Sequence, residues 1–359
     1  MTQGDVGCEH PHYTAEKSMT DIITSPAPTC FDCGAPGFSI QENVNDPDGR
    51  IAGEWTFRQC SNKDCGLVWL DPAPLETELW KAYANYHTHT RDSSKGFEKP
   101  ILSISNRLIK LALLPIWISN GLKNDMDYLR YMTLKDEPAG RLLDVGCGAG
   151  RLLNRMRKRG WEVEGTDFDP QATSRVSARY GIKTHTGDLA ACTLPGESFD
   201  AITMSQTIEH LHNPRLTLEE CMRVLKPGGL LIMTTPNVSS IAAAEFGPFW
   251  RGWEPPRHLH MFSVASLKQF SQRVGFEIIE ARSYSADSAV VYRVSKLNQL
   301  KQGRNISFMD RLRLIGWGYK KELQEHLAQK NRSDTGQNIL IRARKPPMTQ
   351  HGALPDTGQ

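Results

Sequence analysis

The chain has 359 residues, and 39% of them are hydrophobic, which is enough for a sizeable core in one or two domains. Its 43 basic and 40 acidic residues are scattered and leave a net charge of +3, so the sequence lacks the concentrated basic surface that nucleic-acid binding requires. The first residues show no basic start followed by an apolar run, and we expect a cytoplasmic protein. Eight cysteines in a reducing compartment favour metal binding or burial over disulfides.

The first predicted unit after the N-terminus is a small β module with two cysteine pairs. Residues 1–27 are polar and are predicted to be a disordered tail, whereas residues 28–72 are rich in Cys, Gly, Asp and Pro. Two pairs, of C-x2-C and C-x4-C type and each followed by glycine, are formed by Cys30, Cys33, Cys60 and Cys65. Four sulfurs suit tetrahedral Zn²⁺ and leave no open position for a water, which predicts a structural zinc in a zinc-ribbon-like module. Four buried thiols without metal are the alternative.

Residues 73–137 are predicted to form a helical linker or lid. The apolar run 108–118 is too short to span a bilayer and contains Pro115, so we expect a core or lid-forming helix broken at the proline. Contact with a membrane surface is the less favoured alternative, because basic residues flank the run at Arg107, Lys110 and Lys123.

From Arg141 onwards, short apolar strands alternate with amphipathic helices. Such alternation predicts βαβ units and a parallel sheet that is covered on both faces. Residues 138–345 are assigned to this α/β domain, with a helical insertion at 286–336 before the last strand. Residues 346–359 are predicted to be a second disordered tail.

The first strand of this domain ends in a glycine-rich turn, with the sequence LLDVGCGAG. The glycines, at Gly146, Gly148 and Gly150, make a G-x-G-x-G pattern. A turn of this kind between a strand and a helix lets a nucleotide-like ligand approach the backbone and offers it N–H groups. By themselves the glycines are a weak signal.

Three acidic residues strengthen that signal. Asp144 lies in the first strand, two residues before the turn, and Asp167 ends the second strand at a spacing suited to two ribose hydroxyls. Asp188 ends the third strand, where it could meet an adenine edge. Structural capping is the alternative for Asp144 and Asp188.

With these features the sequence resembles the class I S-adenosylmethionine-dependent methyltransferases, over residues 140–285 and the last strand at 338–345. The matching stretches are DVGCGAG, SFDAITMSQTIEHLHNP and VLKPGGLLIMTTPN, and the last two look like the ubiquinone-biosynthesis O-methyltransferases. The resemblance implies an α/β fold with a Rossmann-like, doubly wound, seven-stranded sheet whose last strand is antiparallel.

The resemblance also implies which residues hold S-adenosylmethionine. Asp144 and the three glycines are expected at the methionine portion, Asp167 at the ribose and Asp188 at the adenine region. Gln206, at the end of the fourth strand, completes the predicted cofactor contacts.

Methyl transfer to a hydroxyl needs a positioned acceptor and a base with a pKa near neutrality, which histidine provides. Glu209 and His210 follow the fourth strand, where open α/β sheets bind ligands. In the similar sugar C-methyltransferases, which also carry an N-terminal zinc module, a Glu-His pair here is implicated in acid-base work. A W-x(n)-P-R-H-L-H-x-F-S loop sits at the acceptor pocket of similar enzymes, which adds Arg257, His258 and His260 as candidates. A histidine held at a helix start, or a lid held by its own contacts, is the structural alternative.

The sequence therefore predicts a methyltransferase that uses S-adenosylmethionine on a small-molecule or sugar-like acceptor, with oxygen as the acceptor atom. A sugar C-methyltransferase, an RNA methyltransferase whose zinc module docks RNA, and a non-catalytic binding protein are the alternatives. The near-neutral charge and the absence of an Asn-Pro-Pro-Tyr type motif after the fourth strand, which runs into Ser205-Gln206-Thr207, disfavour RNA. The intact turn and its acids disfavour a degenerate site.

Overall fold

A computed structural model of the protein describes residues 22–47, 49, 51–83, 98–302 and 305–347. Most of both predicted tails therefore lies outside the described residues. The end of the first one does not fit a tail: Thr24 and Ser25 form a strand that pairs with Ala73–Pro74.

Strands in the described residues build one large and one small sheet and a two-stranded pair. In chain order they are β1 (Thr24–Ser25), β2 (Gly37–Val44), β3 (Trp55–Cys60), β4 (Val68–Asp71), β5 (Ala73–Pro74), β6 (Arg141–Val145), β7 (Glu162–Asp167), β8 (Lys183–Thr186), β9 (Phe199–Ser205), β10 (Leu225–Pro236), β11 (His260–Met261), β12 (Glu277–Tyr284) and β13 (Asn338–Arg344).

The α-helices follow or link these strands. They are α1 (Glu98–Asn120), α2 (Leu122–Arg130), α3 (Arg151–Arg157), α4 (Pro170–Tyr180), α5 (Pro214–Val224), α6 (Ile241–Phe246), α7 (Val264–Val274), α8 (Ser288–Lys301) and α9 (Phe308–Gln329). Short 3-10 helices cover Glu76–Ala82, Leu189–Cys192, Ile208–His210 and Gly247–Phe249.

The large sheet has seven strands in the order β12-β13-β10-β9-β6-β7-β8. Strands β8, β7, β6, β9 and β10 are parallel, while β13 runs antiparallel to both of its neighbours, as the sequence predicts. Consecutive side chains such as Leu142 and Leu143 are fully buried because helices cover both faces. The parallel arrangement brings the carboxyl ends of β6, β7, β8 and β9 to one edge of the sheet, where the predicted cofactor residues lie.

The small sheet, in the order β11-β4-β3-β2, joins the cysteine-rich module to the rest of the chain. Its outer strand β11 comes from the loop after β10, and His260 and Met261 pair with Trp69 and Val68. A fully buried ion pair between Arg257 and Asp46 crosses the same junction. The module and the loop around residues 250–261 therefore form one packed unit.

Helix α1 differs from its prediction in two ways. It runs through Pro115 without a break, and most of its apolar side chains are not in a core. One face packs on the domain, with Trp117 buried and its ring 5.5 Å from that of Tyr319 in α9. The sequence could not specify which face of α1 is covered, because apolar residues occur on both faces of the helix.

Candidate active site

The glycine-rich turn lies between β6 and α3 at the carboxyl edge of the large sheet. A Cβ on Gly146, whose φ is +74°, would lie 2.6 Å from the Thr207 hydroxyl. A Cβ on Gly148 would meet no atom within 4 Å, although its φ of +50° disfavours other residues. The backbone of Gly150, the N-cap of α3, also has positive φ, and a Cβ there would lie 2.8 Å from the Val176 side chain. The turn is thus closed on one side by packing, and at Gly148 it faces open space that a ligand can occupy.

Asp167 is bound directly to this turn. Its carboxylate is 7% exposed, and its Oδ2 accepts a hydrogen bond from the Gly148 N–H at 2.8 Å. Its Oδ1 accepts from the Asp169 N–H at 3.0 Å. The carboxylate is therefore held in one orientation beside the open side of the turn.

Asp144 is buried in β6 and faces the neighbouring strand. The Thr203 hydroxyl donates to its Oδ1 at 2.7 Å. Burial raises the pKa of Asp144 to about 7, and the nearby charge of Asp167 acts in the same direction. This carboxyl group therefore lies inside the sheet, bonded between β6 and β9.

Two further predicted cofactor residues lie along the same edge. Asp188 follows β8 as the N-cap of the 3-10 helix Leu189–Cys192, and its side chain is exposed. Gln206 follows β9 with a positive φ of 55°, and its N–H donates to the Thr234 carbonyl at 2.8 Å. A strained non-glycine residue at this position is typical of a functional turn.

A second cluster contains Glu209, His210 and His258, whose carboxylate and ring nitrogen atoms lie within 4.8 Å of one another. Glu209 is completely buried, and the Thr235 hydroxyl donates to its Oε2 at 2.8 Å. Burial raises the pKa of Glu209 to about 8, so this carboxyl group is mostly protonated at neutral pH.

His210 is oriented by two oxygen atoms at its Nδ1. The Tyr83 hydroxyl lies 2.8 Å away and the Arg257 carbonyl 3.0 Å away. Because a carbonyl can only accept, Nδ1 carries the hydrogen and Nε2 keeps the lone pair. Burial lowers the pKa of His210, which keeps the ring neutral at pH 7.

Tyr83 is a site residue that the sequence did not reveal. Its ring also contacts Phe168, with centroids 4.9 Å apart, and Phe168 directly follows Asp167. Tyr83 therefore links the expected ribose position to His210. No motif marks it, and 127 positions separate it from His210.

The loop histidines and Arg257 divide into different roles. His258 donates from Nδ1 to the Gly252 carbonyl at 2.6 Å, and burial lowers its pKa to about 3. Arg257 is fully buried and binds Asp46 and Glu254, so its guanidinium holds the loop to the N-terminal module. His260 lies in β11 with its ring 4.2 Å from that of Phe31, and it is not part of the cluster with His210.

Comparison with known proteins agrees with this geometry. Residues 123–281 match a protein family described as a methyltransferase domain. Residues 123–281 form a methyltransferase domain. It belongs to the S-adenosylmethionine-dependent type, by its family and by its Rossmann-like sheet.

Relatives of the methyltransferase domain carry names of the same class. A protein of Mycolicibacterium smegmatis, named as an S-adenosylmethionine-dependent methyltransferase, is 33% identical over 150 residues, which are 41% of this chain and 56% of that protein. A ubiquinone biosynthesis O-methyltransferase of Xanthomonas axonopodis pv. citri is 36% identical over 126 residues, which are 32% of this chain and 52% of that protein. The solved structure of an S-adenosylmethionine dependent methyltransferase from Mesorhizobium loti is 20% identical, with a TM-score of 0.43, over 61% of this chain and 97% of that one. The chain spans about half the length of the two curated relatives.

Outside the methyltransferase domain, the four predicted cysteines converge in the N-terminal module. The sulfur atoms lie 3.7 Å apart for Cys30 and Cys65 and 3.4 Å apart for Cys33 and Cys60. A tetrahedral zinc with Zn–S bonds of about 2.3 Å separates its sulfurs by roughly 3.8 Å, so the arrangement fits a metal of this size. Arg273 of α7 reaches the Cys65 sulfur at 3.7 Å and binds Asp32 at 2.7 Å, which anchors the cysteine cluster to the methyltransferase domain.

Proposed function

We propose that this chain transfers a methyl group from S-adenosylmethionine to an oxygen atom of a small-molecule or sugar-like acceptor. The observation that carries the proposal is the position of Asp167. Its carboxylate is bound to the glycine turn at the carboxyl edge of the sheet, and Tyr83 links the residue after it to His210. A cofactor-binding acid and a candidate base therefore share one edge.

The residues along this edge suit the parts of S-adenosylmethionine. The glycine turn would hold its methionine portion, beside Gln206 at the end of the neighbouring β9, Asp167 would hold the ribose hydroxyls, and Asp188 would lie at the adenine side. When bound, the cofactor supplies an electrophilic methyl group on a sulfonium. The described residues do the remaining work: they bind, orient and accept a proton.

His210 is the proposed general base. Its Nδ1–H is held by the Tyr83 oxygen and the Arg257 carbonyl, which leaves Nε2 to accept the proton of an acceptor hydroxyl. The buried, protonated Glu209 and the neutral His258 surround the ring without adding a fixed charge. A C-methyltransferase would need the same base for a carbon acid, and the identity of the methylated product distinguishes the two reactions.

We also propose that the four cysteines hold a structural zinc ion. All four ligand positions would be filled by protein sulfur, so the ion would shape the module and take no part in methyl transfer. The near-neutral charge of the chain gives no support to an RNA acceptor.

Asp167→Ala tests the cofactor assignment. Titration calorimetry with S-adenosylhomocysteine, the reaction product, should give micromolar binding to the wild type. The variant should bind roughly 100-fold more weakly or worse, because hydrogen bonds to a charged acceptor are lost at both ribose hydroxyls.

Asp169→Ala is the matched control. The Asp169 side chain caps α4 by accepting from the Gln171 N–H at 2.8 Å, so its loss should lower stability by about 1 kcal/mol and leave the affinity unchanged. Equal affinity of Asp167→Ala and the wild type would remove the ribose assignment. No binding to the folded wild-type protein would instead favour a non-catalytic role.

A further inference from the structure

Helix α1 carries an uncovered apolar stripe along its outer face. Six large aliphatic side chains, each between 41% and 67% exposed, form it: Ile101, Ile104, Leu108, Leu111, Ile116 and Ile118. Most of them follow one another at intervals of three, four or seven residues, which places them on one side of a helix. At 1.5 Å per residue the stripe is about 26 Å long. Continuous exposed apolar surface of this extent marks an interaction site.

The opposite face of α1 is attached to the protein. The Tyr319 hydroxyl of α9 donates to the Asn106 side chain at 2.7 Å, and the Trp117 ring packs on the same tyrosine. The His326 ring nitrogen lies 3.0 Å from the Asn120 carbonyl. These contacts hold α1 lengthwise against the domain, from Asn106 to Asn120.

Among the described residues, α1 is the one helix long and apolar enough to cross a membrane, over Pro100–Asn120 with a mean hydropathy of 1.5. Its contacts with α9 make a crossing costly. A spanning α1 would either lose them or carry α9, with its buried carboxyl groups Glu322 and Glu325, into the bilayer. A helix that is packed on the protein by one face and apolar on its exposed face suits the plane of a membrane surface instead.

The charged side chains of α1 indicate which kind of surface contacts the stripe. Residues 100–120 contain no acidic side chain, and their two charged groups are the exposed cations Arg107 and Lys110. Arg107 adjoins the stripe, since it is three residues from Ile104 and four from Leu111. A two-fold pairing of α1 with a second copy would bring these central cations together with no carboxylate on residues 100–120 to offset them. An anionic lipid surface would neutralise them.

We propose that α1 docks the protein on an anionic membrane surface, with its apolar stripe at the boundary between headgroups and acyl chains. The occupant of the stripe is lipid, and Arg107 contacts the anionic headgroups, whereas the Lys110 ammonium lies 5.9 Å from the Tyr319 ring of α9. This proposal is independent of the acceptor and of the methyl transfer itself.

Vesicle flotation with the full chain tests the proposal. The wild type should float with vesicles of equal parts phosphatidylcholine and phosphatidylglycerol, and about fivefold less with phosphatidylcholine alone, since one cation near an anionic surface, Arg107, contributes about that factor. Leu108→Ser/Leu111→Ser should reduce flotation roughly tenfold or more. Arg107→Gln/Lys110→Gln should abolish the preference for anionic vesicles and its sensitivity to salt.

Leu216→Ser is the matched control, because Leu216 is 48% exposed on α5, outside the stripe. It should float like the wild type, and circular dichroism should show unchanged helix content in every variant, since the replaced side chains are exposed. Absence of wild-type flotation, or equal flotation of the stripe variant, would overturn the proposal. A dimer in sedimentation velocity that Leu108→Ser/Leu111→Ser dissociates, without flotation, would assign the stripe to a second copy instead.

Discussion

His210→Ala is expected to lower turnover by roughly 10²- to 10⁴-fold, the usual contribution of a positioned general base. The affinity for S-adenosylhomocysteine should stay nearly unchanged, because the predicted cofactor contacts are made by other residues. The reason lies at Nδ1: with its hydrogen held by the Tyr83 oxygen and the Arg257 carbonyl, Nε2 is the ring atom left to accept a proton. Single-turnover kinetics with an identified acceptor, together with calorimetry, measure the two quantities separately.

The turnover of the wild type should depend on pH as a histidine base requires. Burial lowers the pKa of His210, so its ordinary value of about 6.5 is an upper bound for the group in the folded protein. Because the proposed base acts as the neutral imidazole, turnover should stay constant as the pH falls through 7 and should decline only below about 6.5. The decline should be absent from the residual activity of His210→Ala.

Two variants separate a base from a residue that merely packs. Tyr83→Phe removes one of the two Nδ1 partners and should lower turnover less than His210→Ala, with the acidic limb of the pH profile displaced. His185→Gln should have wild-type turnover, because His185 binds Glu164 on the neighbouring strand and lies in no proposed contact. A full rate in His210→Ala with the true acceptor would assign the proton transfer to another group.

The sequence predicts the large sheet well because its signals are local. Alternating strands and helices specify a parallel sheet, and the glycine pattern specifies the turn after β6. The carboxyl ends of parallel strands share one edge by construction, so Asp167 and Gly148 had to meet once the strand order was correct. Each cysteine pair is equally local, and the pairing of β2 with β3 brings the two pairs together.

The features of the site that the sequence could not predict depend on contacts between segments that are distant in the chain. Nothing in the residues near Tyr83 indicates that its hydroxyl meets His210, and nothing in HLHMFS separates His258, which joins the His210 cluster, from His260, which faces Phe31. Residues two apart along a strand share a side, so the two rings separate because His258 precedes β11 and lies outside the regular strand. The position of His260 is set by the pairing of β11 with β4, which comes from a distant part of the chain.

Cys60→Ser should remove the metal and unfold the N-terminal module. Structural zinc contributes on the order of 10 kcal/mol to small zinc modules, and three cysteines cannot complete the tetrahedral set. Elemental analysis should show zinc falling from about one ion per chain to near zero. Near-ultraviolet circular dichroism should show lost packing of Trp55 and Trp69, which are both buried in the module, while the large sheet stays folded.

Loss of the proposed zinc should lower turnover at the methyltransferase site, because specific contacts join the two regions. Strand β11 pairs with β4 of the module, and Arg257 is held by Asp46, so an unfolded module releases the loop whose carbonyl at Arg257 orients His210. Turnover should therefore fall together with zinc content, whereas affinity for S-adenosylhomocysteine should change little. Cys192→Ser, whose thiol lies outside the cluster, should keep both zinc and activity. Stoichiometric zinc in Cys60→Ser would contradict the four-cysteine site, and full activity after verified zinc loss would show that the module does not position the loop.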